Sequence, residues 1–392
     1  MYCKKKLKVL YLITSSDHGG ATTALINILD GLIAWGGIPF VVMAHMGSLC
    51  EELNKRNIRF QVIRHFPFVY PDFKSFRDLL LYTPRFIRTI VYNYKAVFIL
   101  SELVKEIKPD IIHTNIGVDQ LGHSVAKKFD IPHVWHIREY QDLDFGLHPF
   151  PSKKNFISKV NFTNNYPIAI TKDIFEHFKM QNDACVIYDG VTEDCKRGPL
   201  VIDKKKYFLF VGRLEEGKGV RLLIEAFKDF CFYNHDYELK IAGLGVANYV
   251  KKLQRRVEKA KLTKRIQFLG YRTDVYSLME NAAALIVPSR YEGFGYITIE
   301  AMFNGCLVIG NNSGGTKEII EKENIGILYS GHNALVTAMK SVVNEGIENY
   351  YPIIRKAQEC ATTLYSKGQN INAISSLYVK ILEKQNCNVC KD

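Results

Sequence analysis

The chain has 392 residues, of which 47% are hydrophobic and 23% are charged, and its formal net charge is +12. The chain is longer than a typical single domain, which predicts two domains. Its composition excludes an intrinsically disordered chain. The positive charge is spread over both halves without a zinc-finger, helix-turn-helix or RRM motif, so no nucleic-acid partner is expected.

The first half of the chain alternates between strand and helix patterns. The apolar run LKVLYLIT at 7–14 predicts a buried strand, and the helical pattern after it ends at Gly36 and Gly37. Further strands are predicted at 39–45, 107–115, 131–137 and 166–171. This alternation predicts a parallel, doubly wound sheet.

The basic and aromatic segment at 55–95 interrupts this alternation. It carries nine Lys and Arg residues against Asp72 and Asp78, with aromatic and aliphatic residues between them. Two interpretations stay open: the segment contacts an anionic membrane surface, or it forms a basic helix whose apolar side is ordinary core. No apolar run reaches the roughly 18 residues of a spanning helix, so any membrane contact is expected to be peripheral.

The alternation restarts in the second half. Residues 190–206 are polar and contain Gly and Pro, which favours a linker. Further strands are predicted at 207–213, 237–243, 265–270, 284–289 and 306–311. The predicted organisation is an N-terminal domain at 1–190, a linker at 191–206, a C-terminal domain at 207–370, and a terminal helix and tail at 371–392.

The segment SRYEGFGYITIEAM at 289–302 joins a predicted strand to a predicted helix. Glu292 lies on the loop with Gly293 and Gly295, and Glu300 lies within the helix. A helix N-terminus favours anions, and glycines let a ligand approach the backbone, so phosphate is the expected ligand. Carboxylates beside it suit the hydroxyls of a sugar or a ribose. For Glu300 alone, a solvated helix glutamate is the simpler alternative.

A second glycine-rich loop, VGRLEEGKG at 211–219, also follows a predicted strand. Its Arg213 and Lys218 suit the negative charge that develops on a diphosphate leaving group, which they can stabilise without a metal ion. Taken singly, each side chain would be an ordinary surface charge.

Two other motifs point to different chemistry but carry weaker signals. Asp142 and Asp144 form a DxD triplet, which is a metal-binding signature but is expected about once by chance in this length. The segment GLGVAN at 243–248 lacks the third glycine of a dinucleotide-binding GxGxxG motif. Neither motif outweighs the interpretation that the loops at 211–219 and 289–302 bind phosphate and sugar hydroxyls.

The cysteines predict a reducing compartment. The nine cysteines form no disulfide pattern and follow no secretory signal pattern, so a cytoplasmic location is expected. Cys387 and Cys390 have CxxC spacing, but no following helix would lower a thiol pKa, so a redox role is disfavoured.

Taken together, these motifs resemble the retaining glycosyltransferase family 4 of the GT-B superfamily. The resemblance rests on Glu292-X7-Glu300, on NSGGTKEII at 312–320 and on VGRLEEGKG. In the N-terminal half it rests on SSDHGGATTAL, DIIHTN, PHVWHIRE and VIYDGV. It implies an α/β GT-B fold with two Rossmann-like domains facing across a cleft and a terminal helix that returns to the N-terminal domain. Asp189 departs from the family, which usually has Asn there.

The resemblance also implies roles for individual residues. The implied catalytic residues are His136, Glu292, Arg213 and Lys218. The implied donor-binding residues are Gly19, Gly20, Gly212, Arg213, Lys218, Glu292, Gly293, Phe294, Gly295, Tyr296 and Glu300. Arg213 and Lys218 would hold the diphosphate, and Glu300 the ribose hydroxyls. His136 has a structural alternative as a strand-end histidine, and His113 and Glu139 are weaker candidates.

The function implied is retaining transfer of a hexosyl or N-acetylhexosaminyl group from a nucleotide diphosphate sugar, with a UDP-sugar favoured. The expected acceptor is a glycan or lipid-linked glycan in surface polysaccharide synthesis, at the cytoplasmic face of a membrane. No metal and no cofactor are expected. The alternative is a non-catalytic module that binds a nucleotide sugar or a glycan.

Overall fold

The structure is a computed structural model that describes residues 6–17, 19–73, 76–181, 183–193, 198 and 200–389. The chain forms two compact units, Met1–Gly190 with Gly368–Asp392, and Val191–Lys367. The segment predicted as a linker falls within the second unit, and its residues 194–197 and 199 lie outside the described residues.

The strands are β1 (Lys8–Ile13), β2 (Ile38–Met43), β3 (Arg59–Val62), β4 (Val69–Pro71), β5 (Ile111–Thr114), β6 (His133–Ile137), β7 (Leu147–Pro149), β8 (Asn165–Ala169), β9 (Cys185–Val186), β10 (Lys205–Val211), β11 (Glu238–Ala242), β12 (Ile266–Gly270), β13 (Ala282–Val287), β14 (Val308–Asn311) and β15 (Ile327–Tyr329). The helices are α1 (Gly20–Ala34), α2 (Leu49–Lys55), α3 (Phe76–Ile107), α4 (Leu121–Phe129), α5 (Asp142–Phe145), α6 (Lys153–Val160), α7 (Lys172–His177), α8 (Val220–Phe230), α9 (Ala247–Lys259), α10 (Val275–Asn281), α11 (Tyr296–Phe303), α12 (Gly314–Glu323), α13 (His332–Glu345), α14 (Tyr351–Thr363) and α15 (Lys367–Val389). Short 3-10 helices cover Glu216–Lys218 and Ile347–Tyr350.

Each unit contains a parallel sheet. Within the described residues, the first unit has a seven-stranded sheet in the order β3-β2-β1-β5-β6-β8-β9, and the second has a six-stranded sheet in the order β12-β11-β10-β13-β14-β15. In both, the strand order reverses part-way across the sheet, as in doubly wound folds. The predicted α/β class with two Rossmann-like domains is therefore confirmed. A separate antiparallel pair, β4 and β7, lies in the first unit.

The strand β1 shows why the run at 7–14 is apolar throughout. Val9, Tyr11 and Ile13 belong to a core cluster with α1 and α2, whereas Leu10 and Leu12 belong to a second cluster with α3 and α4. Successive strand residues point to opposite faces, so a sheet covered on both faces requires apolar residues at every position.

Helix α15 completes the first of these two clusters. Its Ile374, Leu377, Tyr378 and Ile381 pack with the residues of β1 and α1. A Cβ placed at Gly31 of α1 would lie 2.5 Å from Cγ2 of Ile371, so the two helices approach closely there. From Gly368 onwards, this helix belongs to the first unit.

In the part of the chain that the structure describes, no helix is both long enough and apolar enough to span a lipid bilayer.

Candidate functional site

Two of the predicted ligand-binding loops emerge side by side in the second unit. Strands β10 and β13 are neighbours, with β11 and β12 on one side and β14 and β15 on the other. Loops 212–219 and 288–295 follow the carboxyl ends of β10 and β13. They therefore lie where the strand order reverses, which is the usual ligand-binding position in open α/β sheets.

The motif glycines allow these loops to pack closely. A Cβ at Gly219, whose φ is 71°, would lie 1.9 Å from the carbonyl oxygen of Pro288. A Cβ at Gly315 would lie 2.0 Å from the carbonyl oxygen of Phe294, and the Gly315 N–H donates to the carbonyl of Glu292 at 2.8 Å. Because no side chain fits at either position, glycine is required to hold the two loops and the start of α12 together.

The GLGVAN segment has the same structural role. A Cβ at Gly243 would lie 1.8 Å from the carbonyl oxygen of Gly212, and one at Gly245 would lie 2.2 Å from that of Leu214. Its glycines thus let the loop after β11 pack on the loop after β10. This contact accounts for both glycines without a dinucleotide.

Lys218 and Glu292 meet at the centre of this site. The Lys218 Nζ lies 2.7 Å from Oε1 of Glu292, and the Ser289 hydroxyl donates to the same oxygen at 2.6 Å. The lysine and glutamate side chains are 23% and 17% exposed, so solvent and ligands can still reach them. Arg213 lies apart from this pair: its side chain is 66% exposed and its Nη2 is 3.2 Å from Oε1 of Glu215.

Glu300 is a partly buried carboxyl group. It lies on α11, which begins at Tyr296 directly after Gly295, as the sequence predicts. Burial raises the pKa of Glu300 to about 7. Burial and, to a smaller extent, the charge of Glu300 raise the pKa of Tyr276 on α10. The Tyr276 phenol therefore lies near the Glu300 carboxyl group. Among the described residues, the Glu300 carboxyl group makes no hydrogen bond or ion pair that would compensate its burial.

The predicted N-terminal residues lie in the first unit. Gly19 immediately precedes α1, which begins at Gly20, and no atom lies within 4 Å of a Cβ added at Gly19. His136 lies in β6 with 0% exposure, and its ring stacks on that of His113 with centroids 5.6 Å apart. Burial and the charge of Arg138 hold the pKa of His136 well below its usual range, so the ring is neutral.

The chain is similar in sequence to known glycosyltransferases. Residues 192–359 match the family described as Glycosyl transferases group 1. An uncharacterized glycosyltransferase of Methanocaldococcus jannaschii is 27% identical, over 84% of this chain and 89% of its own. The GalNAc-α-(1→4)-GalNAc-α-(1→3)-diNAcBac-PP-undecaprenol α-1,4-N-acetyl-D-galactosaminyltransferase of Campylobacter jejuni is 22% identical, over 88% and 90%.

A solved structure agrees over both units. The Anabaena protein HepE, crystallised with UDP, matches with a TM-score of 0.77 and 20% identity, over 95% of this chain and 100% of its own. Residues 192–359 thus match a glycosyltransferase family, and the chain has the GT-B fold. The family resemblance found in the sequence motifs and the GT-B fold are thereby confirmed.

The first unit also contains a buried ion pair that the sequence did not predict. Arg138 follows β6 and donates from Nη1 to the carboxylate of Asp189. It also donates from Nε and Nη2 to the carbonyl and side-chain oxygens of Asn115, both at 3.0 Å. Asp189 therefore supplies the countercharge for a buried guanidinium, which gives this departure from the family a structural reason. A charged residue directly after the apolar strand HVWHI was the available sequence signal.

The remaining candidates in the first unit already have partners within the protein. His113 bonds through Nδ1 to the Tyr378 hydroxyl at 2.6 Å, and Tyr378 contacts the Tyr11 hydroxyl at 3.0 Å. Glu139 accepts the Val118 N–H at 3.0 Å, and burial raises its pKa to about 8.

The aspartates of the DxD triplet likewise have partners within the protein. Asp142 pairs with Lys153 at 3.0 Å and His177 at 2.8 Å, and Asp144 accepts the Tyr140 N–H at 2.9 Å. The described residues contain no group of three or more His, Cys, Asp and Glu side chains that could hold a metal ion. Cys387 is a free thiol, and Cys390 lies outside the described residues.

Proposed function

We propose that the protein transfers a hexosyl or N-acetylhexosaminyl group from a nucleotide diphosphate sugar to an acceptor hydroxyl, without a metal ion and with retention of the anomeric configuration. The observation that carries the proposal is the 2.7 Å contact between Lys218 and Glu292 where the strand order of the second sheet reverses. Solved neighbours that bind UDP and UDP-glucose support UDP as the nucleotide.

The Lys218–Glu292 pair suits both halves of the donor. When a diphosphate binds, the ammonium group exchanges its carboxylate partner for a phosphate oxygen, a charge-assisted contact. Glu292 is then free to accept hydroxyl groups of the donor sugar. The exposed guanidinium of Arg213 adds a second cation for the diphosphate, whose negative charge grows as the glycosidic bond breaks.

Glu300 suits the ribose. A carboxylate that has no partner in the described part of the chain gains hydrogen bonds when two vicinal hydroxyls donate to it, and these bonds offset its desolvation. The backbone of Gly293, Phe294, Gly295 and Tyr296 at the start of α11 borders the phosphates and sugar. In this arrangement the donor lies along the loop, with its sugar at Glu292 and its ribose at Glu300.

Retention follows from attack on the face that the diphosphate leaves. The acceptor hydroxyl forms the new glycosidic bond while the bond to the diphosphate breaks, and a phosphate oxygen of the leaving group takes the hydroxyl proton. Glu292 positions the donor sugar and forms no covalent intermediate. His136 is fully buried, so we assign it a positioning role through Arg138, whose Nη2 lies 3.1 Å from its Nδ1.

The acceptor is proposed to be a glycan or lipid-linked glycan used in surface polysaccharide synthesis. The Campylobacter relative acts on an undecaprenol diphosphate-linked glycan, and a relative from Acholeplasma laidlawii is an alpha-monoglucosyldiacylglycerol synthase. We propose that the protein works at the cytoplasmic face of a membrane, where such acceptors are reached.

Helix α3 supports this membrane contact. One side of it packs in the core through Ala96, Leu100 and Val104. The other side exposes large apolar residues: Phe76, Leu80, Ile87, Val91, Tyr94 and Phe98. The membrane interpretation of the segment at 55–95 concerns this exposed side of the helix. With basic residues beside it, the exposed side suits the interface of an anionic membrane.

The test is ligand-induced thermal stabilisation by UDP, GDP, ADP and NAD, with EDTA present throughout. We expect a shift with one nucleoside diphosphate that Lys218→Ala weakens by about 10- to 100-fold in affinity, since a hydrogen bond to a charged group contributes about 1.5–3 kcal/mol. Lys228→Ala, at an exposed position on α8, is the matched control. A shift with NAD alone, or one that requires added metal, would contradict the proposal.

Transfer itself separates the enzyme from a binding module. The protein is incubated with the matching nucleotide sugar and acceptor, and the anomeric configuration of the product is read by NMR. Binding of the nucleotide sugar without transfer or hydrolysis would favour the non-catalytic alternative. An inverted product would refute retention.

A further inference from the structure

A cavity of about 210 Å³ lies in the first unit between α3 and the β4–β7 pair. Its wall includes the aromatic side chains of Phe66, Phe68, Tyr70, Tyr82, Phe86 and Phe150. All six are only half-buried. Because the space between these rings is unfilled, the rings lack van der Waals contacts that an apolar ligand would supply. The cavity therefore favours binding of an apolar ligand.

The cavity wall is built by rings that pack on each other. Phe150 contacts Phe86 with ring centroids 4.3 Å apart and Phe68 at 5.5 Å, and Tyr82 lies parallel to Phe86 at 6.1 Å. These contacts hold the rings in place from both α3 and the β7 side. The cavity is therefore preformed, which lowers the cost of ordering when a ligand binds.

Two arginines supply positive charge at the same cavity. Arg85 and Arg88 line it, and both side chains are exposed. The guanidinium of Arg88 lies 4.2 Å from the centre of the Phe66 ring, and Arg85 is 4.0 Å from Asp78, the acidic residue of the lining. The two guanidinium groups and the one carboxylate together leave a net positive charge beside the apolar cavity. Guanidinium groups bind phosphate well.

We propose that this cavity binds the single apolar chain of the lipid-linked acceptor, with its phosphate on Arg85 and Arg88. The inference rests on the proposed function, because it identifies where that acceptor's lipid is held. An occupant must combine an apolar body with an anionic head, as an isoprenoid phosphate does. The volume is slightly larger than an apolar cavity of about 150 Å³ that takes one benzene molecule, so it fits part of one chain.

The neighbouring surface offers a path for such a chain. The exposed apolar side of α3 begins beside the cavity, because Leu80 and Ile87 lie between the lining residues Asp78, Tyr82 and Thr89 in the chain. If this side rests on the membrane, a single chain can pass from the bilayer into the cavity without crossing water.

The experiment measures binding of farnesyl diphosphate to the full chain by calorimetry, with saturating UDP present to occupy the donor site. We expect Arg88→Ala and the cavity-filling Thr89→Phe each to weaken binding at least tenfold. Arg77→Ala, exposed on the same helix and outside the lining, should change it less than twofold. Circular dichroism confirms that each variant is folded.

Several results would overturn the assignment. Unchanged affinity in both Arg88→Ala and Thr89→Phe would place the ligand elsewhere, and equal affinity for inorganic diphosphate would remove the role of the chain. Binding to phosphatidylglycerol vesicles that Thr89→Phe abolishes, without farnesyl diphosphate binding, would assign the cavity to bulk phospholipid.

Separate titration with UDP distinguishes this inference from the proposed function. A protein that binds UDP but not farnesyl diphosphate would refute the cavity assignment and leave the donor site standing. A protein that binds farnesyl diphosphate in the cavity but no nucleoside diphosphate would refute the proposed donor and support the lipid site.

Discussion

Replacing Glu300 by Gln should change how stability depends on pH. Burial raises the pKa of this carboxyl group to about 7 in the folded protein, against an ordinary value of 4.5. Between these two values the folded state binds more protons than the unfolded state, so the group's contribution to stability is lost as pH rises through that window. The full shift corresponds to about 3 kcal/mol, of which about 2.5 kcal/mol falls between pH 5 and pH 8.

The assay is urea unfolding at pH 5, 6, 7 and 8, followed by circular dichroism and fitted with two transitions because the chain has two units. The free energy of unfolding of the wild type should fall relative to Glu300→Gln by the amount above. Other titrating carboxyl groups, such as Glu139, are present in both proteins and cancel in the difference. Glu258→Gln controls for removing one negative charge at an exposed position.

A difference between wild type and Glu300→Gln that stays flat from pH 5 to pH 8 would refute this reasoning. It would mean that the carboxyl group is as well solvated in the folded state as in the unfolded one. A nucleoside diphosphate whose ribose donates to this carboxylate should bind more tightly as pH rises through 7. That trend should disappear in Glu300→Gln.

Three further substitutions test contacts described above, each by chemical unfolding. Gly219→Ala should destabilise the second unit by about 3 kcal/mol, since it adds strain at positive φ and a backbone clash, whereas Gly217→Ala meets no atom within 4 Å and should cost at most about 0.5 kcal/mol. Tyr378→Phe should cost about 1–3 kcal/mol because it leaves buried polar atoms without a partner; an unchanged midpoint would contradict the contact. Arg138→Met should cost about 3–5 kcal/mol by leaving Asp189 buried without a countercharge, and adding Asp189→Asn should restore part of it.

The sequence predicts the parts of the fold that depend on local pattern. The apolar run of β1 and the start of α11 after Gly295 follow from residue types within one short window. The short strands β3 and β15 were missed because three or four residues give too little alternation. Helix α3 was recognised only as a basic and aromatic segment, because apolar residues on two sides of it obscure helical periodicity.

The candidate site was predicted as residues but not as contacts. Lys218 and Glu292 were identified in separate loops, and their contact depends on β10 and β13 being neighbours, which local pattern does not reveal. The pairing of Arg138 with Asp189 joins residues 51 positions apart. The complete burial of His136 depends on which elements cover β6. In each case the missing information is long-range packing.

The course of α15 bears on how the protein matures during synthesis. The second unit is one continuous segment, so it can fold as it leaves the ribosome. The first unit cannot complete its packing before then, because the cluster around β1 includes Ile374, Leu377 and Tyr378, which are translated after the whole second unit. Nascent chains usually fold their N-terminal domains first. Here the last part of the N-terminal core is translated at the end of the chain, and until then the apolar residues that α15 covers stay exposed.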